Sequence, residues 1–208
     1  MTETSATTDP LAVLQRIRNA PERPRPGERC DMCGELVPDE HEHVVNTDSR
    51  NLMCTCRGCW LLFTSNGSGG GKYLAVPDRY LSLDLQVAPE RWEELQIPVS
   101  VAFFFVNSVQ GAVAAFYPSP AGATESLLPL DAWDRLLVDN EALRSMEADV
   151  EALIVRRDDK HDDAYLVPID ACYELVGELR RLWKGFDGGT EARGAMDAFF
   201  DRLQEKSS

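Results

Sequence analysis

Five of the six cysteines in this chain fall between positions 30 and 59, as Cys30-Asp31-Met32-Cys33-Gly34 and then Cys54-Thr55-Cys56-Arg57-Gly58-Cys59. A C-x-x-C pair lets two thiolates turn inward on one tight bend, and Gly34 relieves crowding where backbone amides point at sulfur. Two such pairs converge four sulfurs on a tetrahedral ion, an arrangement that suits Zn²⁺. Cys30, Cys33, Cys56 and Cys59 make the two pairs and are the expected ligands. Cys54 is the competing fifth thiol, able to replace Cys56 or to stand beside the site, and His41 and His43 are further possible substitutes. A four-thiolate zinc has no open coordination position, so the site is expected to be structural, with its binding energy serving as folding energy. The alternative is iron in a rubredoxin-like site, which would make the chain a small redox carrier serving an oxidoreductase. There both knuckles are followed by glycine, whereas Trp60 follows Cys59 here. An iron–sulfur cluster that recruits the fifth cysteine is a smaller possibility.

Other candidate chemistry is thinner. Gly67 to Lys72 (G-S-G-G-G-K) lacks the Walker pattern, because Asn66 stands where the first glycine belongs and Tyr73 where Ser or Thr must follow the lysine. There is no G-x-S-x-G elbow. Only three histidines exist, and His161 lies in the acidic stretch D-D-K-H-D-D, so a Ser–His–Asp arrangement is hard to build. No catalytic residue is assigned, and the enzyme question leans to no. Tyr117 to Ser126 (Y-P-S-P-A-G-A-T-E-S) reads as a rigid loop after a core strand, with Ser119, Thr124 and Ser126 free to face outward.

The elements that must hold the cysteines follow from the pattern around them. His43–Thr47 and Asn51–Thr55 read as the arms of a hairpin turning at Asp48-Ser49-Arg50. The second pair opens a helix-compatible run, Trp60-Leu61-Leu62-Phe63. Knuckle, hairpin, then helix carrying the second pair is the order of a treble-clef or zinc-ribbon-like module. Before it, residues 1–27 read as a flexible tail. That tail has a short helix from Asp9-Pro10 through Leu11, Leu14 and Ile17, then the stiff linker Pro21–Pro26. The module is expected over 28–65, and an α+β domain over 66–208.

In that larger part Tyr73–Val76 reads as a strand stopped by Pro77. Val99–Val106 and Ala112–Tyr117 read as a hairpin of core strands. Leu130–Leu137 and Glu141–Met146 read as short helices. Val150–Arg156 and Ala164–Val167 read as a second strand pair around the acidic turn Asp158–Asp163. Ile169–Trp183 carries one apolar stripe (Cys172, Leu175, Val176, Leu179, Leu182), and Glu191–Leu203 carries Met196, Phe199, Phe200 and Leu203. Hairpins followed by helices predict an α+β fold with a largely antiparallel sheet and C-terminal helices.

Composition narrows the function. The chain has 208 residues, 44% hydrophobic and 27% charged, ordinary for a globular protein. Its formal charge of −14 opposes a main task of gripping nucleic-acid phosphates or an anionic membrane, since both need positive charge. A four-thiolate zinc site adds a further formal −2 (about four charges of −1 against +2). No apolar run reaches the length of a membrane span. The first ten residues lack the basic and apolar regions of a secretory signal, so a cytoplasmic location with reduced thiols is expected.

Several segments together carry a resemblance: C-D-M-C-G-E-L, the C-x-C-x-x-C run, I-P-V-S-V-A-F-F-F, A-F-Y-P-S-P-A-G-A-T-E-S-L-L, Y-L-V-P-I-D-A-C-Y-E-L-V-G and the closing A-F-F-D-R-L. Over residues 28 to 204 the chain resembles an uncharacterised actinobacterial domain-of-unknown-function family encoded near high-affinity nickel–iron hydrogenase genes. The resemblance implies an accessory role around a hydrogenase, with hydrogenase subunits or maturation factors as protein partners, and supplies no catalytic residues.

Overall fold

Val101-Ala102-Phe103-Phe104 is a continuous apolar run because both faces of its strand are covered. Phe103 and Val101 face one core with Ala152, Ile154, Tyr165 and Val167. Ala102 and Phe104 face a second core with Leu153, Val155 and Ala164. The period-2 alternation of strands thus sorts one apolar segment into two layers. The computed structural model describes residues 28–65, 67–85, 92–93, 99–119, 122–126, 141–158, 162–185 and 188–207. The expected tail helix, the Pro21–Pro26 linker, the Leu130–Leu137 helix and His161 lie outside the described residues.

Among the described residues the elements follow in order: β1 (Glu42–Asn46), β2 (Asn51–Thr55), α1 (Arg57–Leu61), β3 (Tyr73–Ala75), β4 (Leu81–Leu83), β5 (Val101–Asn107), β6 (Ala112–Ser119), β7 (Gly122–Ser126), α2 (Glu141–Arg144), β8 (Glu151–Arg157), β9 (Asp162–Pro168), α3 (Ile169–Leu182) and α4 (Gly189–Lys206), with a 3₁₀ turn at Ser68–Gly71 before β3. The fold is α+β. A three-stranded sheet has the order β2-β1-β3, and a six-stranded sheet the order β4-β9-β8-β5-β6-β7. Among the described residues every strand pairing is antiparallel.

The two C-terminal helices close one face of the large sheet. α3 buries Ile169, Ala171, Cys172, Leu175 and Leu179, and α4 buries Ala192, Phe199, Phe200 and Leu203. Arg156 ties sheet to helix. Its guanidinium donates to Asp163 on the neighbouring strand and to Asp197 on α4, and lies 4.3 Å from the Phe200 ring centroid.

Two expectations about strands need correction. Tyr73–Ala75 was grouped with the larger α+β part, yet it pairs with β1, the first arm of the cysteine hairpin. Pro118–Ser126 is not a loop: β6 runs through Ser119 and β7 starts at Gly122, so the segment is a hairpin. Among the described residues the β5–β6 register ends at Phe103–Phe116, so Pro118, which lacks an N–H, removes no β5–β6 ladder bond. Thr124 Oγ1 donates to Ser119 Oγ across that hairpin at 2.9 Å instead of facing outward.

The small sheet docks on the large core through Val45 and Val76, with Leu52 and Leu74 packed beside them. After β3 an ion pair between half-buried Arg79 and buried Glu151 fixes the crossing chain. Arg79 donates from Nε and Nη2 to the carboxylate of Glu151, which is fully buried, and from Nη2 to the Ser145 carbonyl. The Glu147 amide donates to the same carboxylate.

Candidate metal centre

The first knuckle is built by local hydrogen bonds. The Cys30 amide donates to Glu35 O at 2.8 Å, and the Gly34 amide donates back to Cys30 O at 2.8 Å. That turn requires a left-handed residue, and Gly34 supplies it with φ of 76°. An Arg29–Leu36 bridge and a bond from Arg29 Nη1 to Gly34 O close its base. The knuckle is clamped to the end of β2 from both sides: Asp31 N donates to Cys54 O, and Cys54 N to Asp31 Oδ2, each at 2.8 Å.

The second pair sits at a helix start. Cys56 is the extended residue before α1, and its carbonyl accepts from the Trp60 amide at 3.0 Å. Trp60 then anchors the helix. Its indole Nε1 donates to Val76 O at 2.9 Å, and the Arg57 guanidinium lies 4.2 Å from its ring centroid. The expected helical run from Trp60 to Phe63 thus begins earlier, at Arg57, and ends at Leu61.

This scaffold brings the Sγ atoms of Cys30, Cys33, Cys56 and Cys59 within 4.8 Å of one another. Cys33 and Cys56, far apart in the chain, have sulfurs 3.7 Å apart. Sulfurs about 2.3 Å from a central ion at the corners of a tetrahedron are separated by about 3.8 Å, so this spacing is a ligand spacing. It is too long for a disulfide, and all six cysteines are free thiols.

The electrostatics of the cluster are uneven. Burial pushes the Cys30 thiol up. Hydrogen bonds from the backbone of Cys56, Cys33 and Met32 and from the Cys33 side chain outweigh it and bring Cys30 down to about 6. Burial and the neighbouring sulfurs of Cys30, Cys33 and Cys56 push Cys59 up to about 12. One thiolate is therefore stabilised by backbone dipoles, while Cys33 and Cys59 are held up against ionising beside it. A cation among the four sulfurs removes that repulsion and lets all four ionise.

Cys54 does not compete for this site. It forms a separate group with His41 and His43, again with ligand atoms within 4.8 Å of one another. Burial, then the charges of Glu28 and Asp31, push its thiol up. His41 and His43 likewise belong to that second group and not to the four-sulfur cluster. By sequence Cys54 is either a replacement for Cys56 or a thiol beside the site, and His41 and His43 are substitutes; nothing in the spacing joins the three. The signal that could have grouped them is the H-x-H alternation on a predicted strand facing a cysteine on the partner arm.

A cleft lies where the small sheet meets the large one, lined by Arg50, Leu52, Phe105, Phe116, Glu125 and Asp149 among others. Asp149 uses Oδ1 to accept from the Ser108 amide.

Among the described residues no helix is long and apolar enough to cross a membrane. The model of a family of unknown function (DUF5947) matches residues 29–207. No curated protein and no solved structure matches the chain.

Proposed function

The chain belongs to the DUF5947 family of unknown function, and from that premise we propose that it is a non-enzymatic accessory protein with a structural zinc site that docks on a nickel–iron hydrogenase or its assembly factors. The observation that carries the zinc reading is the convergence of Cys30, Cys33, Cys56 and Cys59 on one centre. Four thiolates fill a tetrahedral ion completely and leave no position for substrate, so the role of this ion is to hold the module together.

Zinc is favoured over iron by the asymmetry of the two pairs. The first lies on a glycine knuckle, while the second lies at the start of a helix whose next residue, Trp60, is pinned to Val76. That asymmetry supports the treble-clef reading, whereas a rubredoxin-like iron site uses two glycine knuckles. The docking reading is supported by exposed apolar side chains beside the cluster. Leu36 is 59% exposed, Leu61 52% and Leu62 65%, just after the two cysteine pairs. The choice of a hydrogenase as partner rests on the gene neighbourhood implied by the resemblance.

Two measurements test the reading. Elemental analysis of colourless purified protein is expected to show zinc; a red protein with visible thiolate-to-iron absorbance would replace zinc with iron. Pull-down of the tagged protein from its native host is expected to recover hydrogenase subunits or maturation proteins. Recovery of none, with unaltered hydrogenase activity in a deletion strain, would remove the accessory role.

A further inference from the structure

We propose that His41, His43 and Cys54 form a second metal site, distinct from the four-sulfur cluster, that takes a divalent transition ion of zinc type through two imidazoles and one thiolate and leaves its fourth position open. The strand register creates it. His43 and Cys54 are directly opposed in the β1–β2 ladder, so their side chains leave the same face of the hairpin. His41 stands just before β1, two residues from His43, and its ring comes against the His43 ring on that face. One ring nitrogen of each histidine and the Cys54 Sγ lie within 4.8 Å of one another, and the two rings are 4.8 Å apart between centroids.

The surroundings settle which nitrogens are available. His41 Nδ1 lies 2.9 Å from the Pro38 carbonyl oxygen, and His43 Nδ1 lies 2.9 Å from Asp170 Oδ2. Both partners only accept, so Nδ1 is the donor in each ring, and Nε2 is the nitrogen left to face an ion. Carbonyl or carboxylate behind Nδ1, with Nε2 free in front, is how proteins orient histidine ligands. The independent sign of a missing ligand is His41 Nε2. The His41 side chain is only 5% exposed, and this nitrogen is buried without a hydrogen-bond partner. Glu28 Oε2, a 67% exposed carboxylate, lies 3.7 Å from it, an ion-pair distance if the ring is charged but too long for a hydrogen bond. A buried basic nitrogen left without a partner is costly, and a cation supplies the missing contact.

Two imidazoles and one thiolate are a borderline donor set that suits zinc and its neighbours in the first transition row. Three protein ligands with one position left over is the pattern of sites that bind a water or a transferable ligand. His43 also reaches Asp170 at the start of α3, so an ion here would bear on the contact between the small sheet and the helical layer.

The test counts metal ions and then identifies their donors. Wild-type protein dialysed with Zn²⁺ is expected to hold two equivalents per chain, and Cys54→Ser and His43→Ala one each. Co²⁺ added to protein carrying one tight zinc is expected to give a thiolate-to-cobalt charge-transfer band in wild type and none in Cys54→Ser. X-ray absorption on that cobalt in the wild-type protein is expected to report nitrogen and sulfur together, a readout that needs no variant. A single equivalent at saturation, or a second one retained unchanged in both variants, would overturn the site. So would a sulfur-only cobalt shell.

Discussion

Replacing Cys30 by serine removes one sulfur from the four-thiol cluster while keeping a small acceptor for the amides of Cys56, Cys33 and Met32 that point at it. Cys30 is 2% exposed, so water cannot take over its place as a ligand. Structural zinc bound by small peptides contributes on the order of 10–16 kcal/mol. Shared over four ligands, one sulfur carries about 2.5–4 kcal/mol, which lowers zinc affinity by about two to three orders of magnitude. Net stabilities of domains are only about 5–15 kcal/mol, so such a loss is felt by everything that folds with the ion. What folds with it is set by the strand pairing: β1, β2 and β3 share one sheet, joined by bonds such as Thr47 N to Lys72 O and Val76 N to His43 O. The large sheet is held by its own cores, to which the small sheet contributes the buried residues Val45 and Val76. The assay is competition with a chromogenic chelator, followed by amide hydrogen exchange. Cys30→Ser is expected to lose affinity by that factor and to lose protection over residues 28 to 76, with the β8–β9 ladder still protected. Affinity within tenfold of wild type would refute the ligand assignment. Loss of β8–β9 protection in step with the module would refute the separation of the two sheets.

Arg79→Ala leaves the Glu151 carboxylate buried with only the Glu147 amide to answer it, and is expected to cost about 3–5 kcal/mol in chemical denaturation, whereas Arg79→Ala/Glu151→Gln recovers part of the loss. Burial holds the Cys172 thiol well above its ordinary 9.0. The native state then keeps a proton that the unfolded chain releases, so stability falls as pH rises past 9, and Cys172→Ala is expected to flatten that fall in denaturation curves taken across the alkaline range. Leu175→Ala empties a fully buried position on α3 and is expected to cost about 2–5 kcal/mol in the same measurement. Leu36→Ser combined with Leu62→Ser is expected to leave melting behaviour unchanged, because both side chains are exposed, while weakening capture of the partner protein in pull-down.

How much was legible in the residues varies by element. Val101–Asn107 and the β8–β9 pair were readable because long apolar runs bounded by polar turns have few alternatives as strands. The α3 stripe was readable because Cys172, Leu175 and Leu179 recur at helical spacing and all end fully buried. Pro118–Ser126 misled, since its prolines and glycine are loop residues by composition. Its strand character depends on the β5–β6 register ending at Phe116 among the described residues, which is a fact of pairing and not of propensity. Tyr73–Ala75 was recognisable as a strand, but a three-residue segment carries no information about which sheet it will join.

The same division runs through the metal chemistry. Spacing alone determined that Cys30 and Cys33, and Cys56 and Cys59, are presented in pairs, because a two-residue gap can be closed by local backbone geometry. Spacing favoured Cys56 over Cys54 as a ligand but could not say whether the fifth thiol would stand in the cluster or apart from it. That choice belongs to the β1–β2 register, which sets Cys54 against His43 and gives the fifth thiol two histidines as neighbours instead of four sulfurs. The bond from His43 to Asp170 spans 127 positions, so only the docking of the small sheet on α3 could create it. Local spacing wrote the four-sulfur cluster; register and docking, which depend on the whole buried core, wrote the second.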